Sequence, residues 1–284
     1  MSARTVVQAP EAATRPGREE GRLVVERDGA VARLIIHNPA RRNAVSQDMW
    51  RQFGPALRSL DADPEIKVLV VRGSGGTFSA GADISEVASI LRGDGSAPDG
   101  GDLTAAEEAL ASFGKPTIAA IDGYCVGGGW EIAGACDLRI AAADAFIGIT
   151  PAKLAIVYPT SGIARLVRLV GPSTAKRLLF TGDLVDAREA LRIGLVEEVA
   201  PAGHVHDAAL GLADRLARHS QLSARAHKAL VDAVAACSRD LGEVSVHWRR
   251  EMELGPDARI GVQAFLAKKP PAFEWSVPVQ PRRA

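Results

Sequence analysis

The chain has little cysteine and no excess of charge of either sign. Its 284 residues include three cysteines, Cys125, Cys136 and Cys237, whose spacing does not match a zinc site. Basic and acidic side chains number 34 each, so the formal net charge is +0. The odd cysteine number predicts reduced thiols in a cytoplasmic protein. The charge balance argues against a general affinity for nucleic acid or for a membrane surface.

Several sequence signatures of other protein classes are also missing. No uninterrupted apolar run approaches the roughly 18 residues of a membrane-spanning helix. Ile132 stands where a dinucleotide fingerprint requires glycine, and neither a phosphate-binding loop nor a Gly-x-Ser-x-Gly nucleophile motif occurs. His204 and His206 have no third ligand nearby in sequence, which favours a solvated helix start over a metal site. We therefore expect no metal.

The N-terminal region predicts a tail followed by the start of a folded domain. Residues 1–20 mix proline, alanine and both charge signs without periodicity, which is typical of a disordered tail. Asp28-Gly29 separates two strand-like runs and predicts a hairpin. Ser46 can cap a helix that runs to about Leu60. Arg41 and Arg42 precede it in a loop, where they are either solvated or face a phosphate-bearing ligand.

The most informative stretch lies between residues 115 and 140. Thr117–Ile121 has strand composition, Gly123–Gly129 predicts a glycine-rich turn, and Trp130–Cys136 has helical composition. The unpaired N–H groups at the start of such a helix, among them that of Gly128, can stabilise negative charge. Glu131 in the first helical turn is either a proton-transfer group or a carboxylate that only complements the helix dipole.

A second stretch repeats this order of elements. An apolar run from Ile66 to Arg72 precedes a glycine-rich turn with the residues Ala80-Gly81-Ala82-Asp83 and a predicted helix. Two such units can direct two backbone N–H groups at one oxygen. Alone, the second turn is equally consistent with an ordinary loop in which Asp83 caps the helix.

The two turns together resemble the enoyl-CoA hydratase/isomerase (crotonase) superfamily. The similarity rests on Thr77–Ile84, Gly123–Glu131 and Cys136-Asp137, and extends over about Leu23 to Phe273. It implies an α/β fold, a crotonase-like spiral of ββα units with a helical C-terminal region. It also implies an acyl-CoA thioester substrate, with no cofactor beyond the CoA of that substrate.

The resemblance assigns roles to individual residues. The N–H groups of Ala80 and Gly128 would form the oxyanion hole for a thioester enolate, Glu131 would move protons, and Tyr158 would be an auxiliary polar group. Tyr158 is also consistent with a plain core aromatic. Lys268 would approach the adenine end of CoA, or is simply solvated. The implied substrate-binding residues are Ala44, Ala80, Gly81, Ala82, Asp83, Ile84, Gly127, Gly128 and Lys268.

One position departs from the hydratase pattern. Pro151 occupies the place of a second glutamate, so hydration by two carboxylates is in doubt. Trp130-Glu131, Thr150-Pro151 and Tyr158 resemble the methylmalonyl-CoA decarboxylase branch, although that branch has histidine where Ala82 stands. Three functions stay open: an enoyl-CoA hydratase-type lyase, which we favour, a decarboxylase of a 2-carboxyacyl-CoA, and a non-catalytic acyl-CoA-binding protein.

The rest of the chain predicts a loop and a series of helices. Residues 88–103 are rich in Gly, Asp and Pro and predict a mobile loop that borders the acyl pocket. Arg165 is expected on an exposed helix face. We divide the chain into a core at 21–200 and a helical region at 201–284. That region resembles the part of the family that assembles subunits into a homotrimer or a dimer of trimers.

Overall fold

The structure, a computed structural model, describes residues 21–93 and 99–276. The strands are β1 (Arg22–Asp28), β2 (Val31–His37), β3 (Val68–Gly73), β4 (Thr117–Ile121), β5 (Tyr124–Val126), β6 (Leu138–Ala142), β7 (Phe146–Gly148), β8 (Leu184–Asp186) and β9 (Glu198–Ala200). The helices are α1 (Gln47–Ala62), α2 (Val87–Arg92), α3 (Gly101–Ala111), α4 (Gly128–Ala135), α5 (Thr160–Thr181), α6 (Ala187–Ile193), α7 (Val205–Ala217), α8 (Gln221–Ala235), α9 (Leu241–Leu254) and α10 (Asp257–Leu266). Short 3-10 helices span Pro39–Arg41 and Pro151–Leu154. The tail predicted at 1–20 lies outside the described residues.

A six-stranded sheet forms the centre of the fold. Its strand order is β1-β2-β3-β4-β6-β9, and every neighbouring pair except β1 and β2 is parallel. The antiparallel pair is the predicted hairpin, with Asp28 opposite Val31 across the turn. Central strands such as β4 are buried along their whole length, and helix α7 packs against β2, β3, β4, β6 and β9.

A second, three-stranded sheet lies beside the first. It has the order β5-β7-β8, and the chain enters it directly from the large sheet at the β4–β5 and β6–β7 connections. This alternation between two sheets produces the predicted spiral, and the α/β class is confirmed. The prediction of a single turn from Gly123 to Gly129 is wrong, because Tyr124–Val126 pairs with β7 as a strand.

Local signals place α1 correctly. The Ser46 hydroxyl accepts a hydrogen bond from the Met49 N–H at 3.3 Å and so caps the helix at its predicted start. One face of α1 is buried in the core, with Trp50 and Phe53 stacked at a centroid distance of 5.8 Å. That face repeats at helical spacing, so burial of the apolar stripe fixes the orientation of α1.

Most of the described residues in the segment predicted as a loop are helical. Within residues 88–103, the structure has the end of α2 and the start of α3, while 94–98 lie outside the described residues. Ile90 and Leu103 are buried, so apolar contacts outweigh the glycine-rich composition. Helix α3 contacts α1, α2, α4 and α5. The segment predicted as a loop therefore includes the start of α3, a helix that supports the site described below.

Helices dominate the C-terminal part, as predicted. Asp186 caps α6 by accepting the Glu189 N–H, and Gly194 ends that helix with a φ of 82°. Helix α7 packs on the central sheet, whereas α8 contacts α9. The division at residue 201 stays a prediction, and α7 belongs by its contacts to the sheet. None of the helices in the described ranges has the length and apolar character needed to cross a membrane.

Replacement of Phe53 by alanine tests the core. Its side chain is fully buried, so Phe53→Ala is expected to lower the free energy of unfolding by about 3–5 kcal/mol, as measured by urea denaturation. Ser59→Ala, at an exposed position of the same helix, is the control and should change that energy by less than about 0.5 kcal/mol. Equal stability of the two variants would contradict the core position of Phe53.

Candidate active site

A pocket with apolar walls opens where the two glycine turns meet. It has a volume of about 60 Å³. Seven residues predicted to act in the site line it: Gly81, Ala82, Ile84, Gly127, Gly128, Glu131 and Tyr158. The remaining walls come from Val87, Leu91, Leu103, Thr150, Pro151, Leu154, Ile156 and Pro159. The structure therefore brings most of the predicted site residues together.

The two turns are held side by side by main-chain hydrogen bonds. The Ser79 N–H donates to the Tyr124 carbonyl at 2.9 Å, and the Val126 N–H donates to the Ser79 carbonyl at 3.0 Å. Gly81 has a φ of 104°, and a Cβ atom there would lie 2.8 Å from the Val126 carbonyl oxygen. Glycine is required at position 81 because of both its backbone conformation and this close approach.

The N–H group of Ala80 is not available to a ligand. It donates to the Arg42 carbonyl at 2.9 Å, so the assignment of Ala80 to the oxyanion hole is wrong. Among the described residues, the Ala82 and Gly128 N–H groups have no acceptor. A Cβ atom on Gly128 would lie 3.0 Å from the Ala82 nitrogen, so the two groups are neighbours at the pocket wall. Ala82 therefore replaces Ala80 as the candidate donor.

Glu131 faces the pocket from the first turn of α4. It is buried, and one of its carboxyl oxygens has no hydrogen-bond partner among the described residues. Helix α5 passes close behind it, since a Cβ atom on Gly162 would lie 2.0 Å from a Glu131 carboxyl oxygen. The absence of a side chain at Gly162 thus provides the space that the Glu131 carboxyl occupies.

A second carboxyl group, Glu107 of α3, lies behind Glu131. It is fully buried and close enough to Glu131 for a hydrogen bond between the two carboxyls. Burial first, and then the hydrogen bond and negative charge of Glu107, raise the pKa of Glu131 well above its usual range, while Arg165 acts in the opposite direction. Burial and the neighbouring Glu107 thus favour the protonated form of Glu131.

Two residues of α5 contact Glu107. The Ser161 hydroxyl donates to its carboxylate, and the Arg165 guanidinium lies 3.3 Å from its other oxygen. Arg165 also pairs with Glu108, and only 15% of its side chain is exposed. The prediction of an exposed Arg165 is therefore wrong.

The sequence analysis did not select Glu107 as a functional residue, although a signal was present. Leu103, Ala106, Glu107 and Leu110 recur at helical spacing, which places a charged residue on the buried stripe of α3. A carboxyl group on such a stripe needs a buried partner.

Tyr158 and Pro151 complete the polar and apolar walls near Glu131. The Tyr158 hydroxyl is buried and has no hydrogen-bond partner in the described residues. Burial, and then the Glu131 carboxyl, raise the pKa of the Tyr158 phenol well above its usual range, so the hydroxyl stays a donor at neutral pH. Pro151 is buried at the pocket wall and contributes no acidic group.

Three other predicted residues lie away from the pocket. Ala44 is half-buried in the loop before α1, and exposed Lys268 follows α10; neither lines the pocket. The buried Asp83 carboxylate accepts hydrogen bonds from Ser85 and pairs with Arg41. These contacts outweigh burial and lower the pKa of Asp83. The Arg41 side chain is about half exposed, so it contacts solvent as well as Asp83.

Metal ligands are not grouped in the described ranges. No cluster of three or more His, Cys, Asp or Glu side chains there has an arrangement that could hold a metal ion. His206 lies 3.8 Å from Asp122, away from the exposed His204. Independently of this, a buried Glu131 carboxyl near two N–H groups that lack acceptors in the described part of the chain is suited to proton transfer beside a developing negative charge.

Comparison with known proteins identifies the same family that the two glycine turns resemble. The family model for enoyl-CoA hydratase/isomerase matches residues 26–276. A crotonyl-CoA hydratase from Syntrophomonas wolfei is 35% identical over 212 residues, or 73% of this chain and 80% of that protein. The 2,3-dehydroadipyl-CoA hydratase of Escherichia coli K12 is 33% identical over 260 residues, or 89% of this chain and 98% of that protein.

A solved structure extends the similarity to the whole fold. A crystal structure of an enoyl-CoA hydratase/isomerase family member is 40% identical, with a TM-score of 0.86, and the match covers 92% of this chain and 100% of that one. The two relatives described above are named as hydratases, which supports a hydratase-type acyl-CoA enzyme and gives no support to the decarboxylase alternative. The chain belongs to the enoyl-CoA hydratase/isomerase family.

Proposed function

We propose that this enzyme adds water across the 2,3-double bond of an enoyl-CoA thioester. The observation that carries the proposal is the buried Glu131 carboxyl beside the unpartnered N–H groups of Ala82 and Gly128, in a pocket with apolar walls. The similarity to the crotonyl-CoA and 2,3-dehydroadipyl-CoA hydratases supports the reaction type.

In this proposal, one carboxyl group handles both proton transfers. The water oxygen forms a bond to the β-carbon, and the electron pair of the double bond moves onto the thioester oxygen as an enolate. A carboxyl oxygen of Glu131 takes the water proton. In the same step the electron pair of the enolate returns to the α-carbon, which takes the O–H proton from the other oxygen of the Glu131 carboxyl, so the carboxyl never carries two protons. Water is added, and Glu131 returns to its starting state.

The two N–H groups would stabilise the enolate oxygen. Gly128 lies at the N-terminus of α4, where the helix dipole favours negative charge. Each such donor is worth about 10²–10³ in rate in enzymes that use an oxyanion hole. The Tyr158 hydroxyl would donate to the water or to the substrate, because it is buried next to Glu131 without a partner among the described residues.

The CoA part of the substrate would lie along residues 80–84 and Gly127, with Ala44 and Lys268 toward its nucleotide end. These contacts rest on the family resemblance, and no separate cofactor is needed. We place the reaction in the cytoplasm, as the reduced thiols of Cys125, Cys136 and Cys237 suggest.

We also propose a homotrimer or a dimer of trimers. Apart from the family resemblance, the outer surface of the small sheet supports assembly. Tyr124 and Phe146 stack there at a centroid distance of 5.8 Å, and both rings are about two-fifths exposed. Leu184 of the same sheet is exposed to a similar extent. Analytical ultracentrifugation is expected to give three or six times the chain mass, and a monomer would contradict this assembly.

Hydration of crotonyl-CoA tests the proposed reaction. With the wild-type enzyme, mass spectrometry is expected to show a product 18 Da heavier than crotonyl-CoA, the mass of one water molecule. Glu131→Gln should lower kcat/KM about 10²–10⁴-fold, because proton transfer is lost. Glu65→Gln, at an exposed position, is the control and should keep wild-type kinetics.

Two results would contradict the proposed reaction. Unchanged activity of Glu131→Gln would remove Glu131 from the mechanism. A product of unchanged mass with a displaced double bond would indicate isomerisation instead of hydration. A longer enoyl-CoA is assayed in parallel. Activity on that substrate alone would show that the acyl chain of crotonyl-CoA is unsuitable, whereas no activity on either substrate would show that the site does not catalyse hydration.

Gly162→Ala tests whether the position of Glu131 limits the rate. The new methyl group would displace the Glu131 carboxyl, and we expect kcat to fall about 10²-fold because small misplacements of catalytic groups are costly. Gly211→Ala is the matched control, since a Cβ atom there meets nothing within 4 Å and the site is also helical. Circular dichroism checks that both variants stay folded, and equal kcat values would refute the spatial constraint.

A further inference from the structure

We propose that Glu107 is a positioning residue that keeps Glu131 protonated, so that the one carboxyl group lining the pocket can give a proton to the substrate and take one from water. This inference deepens the proposed hydration and rests on it for the chemical step. The protonation state itself is independent of any substrate and can be measured separately.

The contacts of the two carboxyls differ in a way that assigns the proton. Glu131 lines the pocket, whereas Glu107 lies behind it and does not. Glu107 has both partners that favour an ionised carboxylate, namely the Ser161 hydroxyl and the Arg165 guanidinium at 3.3 Å. Each of the two carboxyls has one oxygen without a hydrogen-bond partner among the described residues, but of the two only Glu107 accepts from a hydroxyl and lies at ion-pair distance from a guanidinium there. The negative charge therefore belongs on Glu107 and the proton on Glu131.

Charge balance leads to the same assignment. Two carboxylates in contact without solvent cannot both be ionised at modest cost, and Arg165 supplies one positive charge to the group. One ionised carboxylate, one protonated carboxyl and one guanidinium form a neutral cluster. Exposed Glu108 also contacts Arg165, but more than half of its side chain faces solvent, so water screens its charge.

Other charged and titratable groups lie around this cluster. They come from the loop before α5, from strand β5 and from helices α1, α3, α5 and α8: Tyr158, Cys125, Arg51, Asp102, Glu108, Arg168 and Asp232. Asp102 is paired with Arg51, and Tyr158 stays neutral. Within the described part of the chain, Arg165 is the cation that contacts Glu107.

A protonated Glu131 defines the direction of both transfers. Its O–H proton passes to the α-carbon as that carbon regains the enolate electron pair, and its other oxygen takes the proton that the attacking water releases. The carboxyl ends the cycle protonated, and Glu107 stays ionised throughout. No net charge moves into or out of the buried cluster during the reaction.

Infrared difference spectroscopy of the substrate-free enzyme tests the protonation state. The carbonyl stretch of a protonated carboxyl should be present in the wild-type protein at neutral pH and absent from Glu131→Gln. In Glu107→Gln, the midpoint at which this band disappears should fall by about one pH unit or more, because the neighbouring negative charge is gone. Glu108→Gln, one residue along the same helix, should keep the wild-type midpoint.

Ser161→Ala is a second control, which leaves the ion pair between Glu107 and Arg165 intact. Glu107 is ionised both before and after Glu131 loses its proton, so loss of the Ser161 hydroxyl should change the midpoint much less than Glu107→Gln does. The alkaline side of the pH profile of kcat should move to lower pH in Glu107→Gln, since activity is lost as Glu131 ionises above its raised pKa.

Three results would overturn the proposal. They are the absence of a Glu131-dependent carbonyl band in the wild-type enzyme at neutral pH, an unchanged midpoint in Glu107→Gln, and a midpoint in Ser161→Ala that falls as far as in Glu107→Gln. Failure of the hydration assay alone would leave the infrared titration valid, so the proposed reaction and the proposed protonation state are judged by separate measurements.

Discussion

The close approach of two glycine turns is the constraint on which the site depends. Gly81 leaves room for the Val126 carbonyl oxygen, and main-chain bonds from Ser79 then hold the two turns in one arrangement. The Ala82 and Gly128 N–H groups are brought together by these contacts. The two sheets of the spiral thus place two loops next to each other, with the Ala82 and Gly128 N–H groups free of acceptors among the described residues.

The carboxyl groups form a second layer that depends on helix packing. Helix α4 carries Glu131, α3 carries Glu107, and α5 supplies Ser161 and Arg165 together with the space left by Gly162. Removing one member leaves buried charge uncompensated in the others, which is costly in a dry interior. The polar contacts thus connect helices α3, α4 and α5 at the Glu131 carboxyl, which the proposed reaction requires.

Much of the fold could be predicted from local signals. Asp28-Gly29 and the Ser46 cap each act within a few residues, and the elements they bound were placed to within a turn. The misassigned elements depended on distant partners. The Ala80 N–H is not an oxyanion-hole donor because it donates to the Arg42 carbonyl. Helix α3 forms because its apolar face packs on four other helices.

The N–H donors are held by main-chain bonds and by the Ser79 hydroxyl. The main-chain bonds join Ser79 to Tyr124 and Val126, and Ala80 to Arg42, while the Ser79 hydroxyl accepts from the Gly81 N–H and donates to the Asn43 carbonyl. Substitutions at residues such as Arg42 or Val126 therefore leave the donor geometry intact as long as Ser79 and the glycines remain. Substitutions can therefore change the side chains of the pocket walls while the two N–H donors keep their positions. In this way the same fold can accommodate different acyl groups.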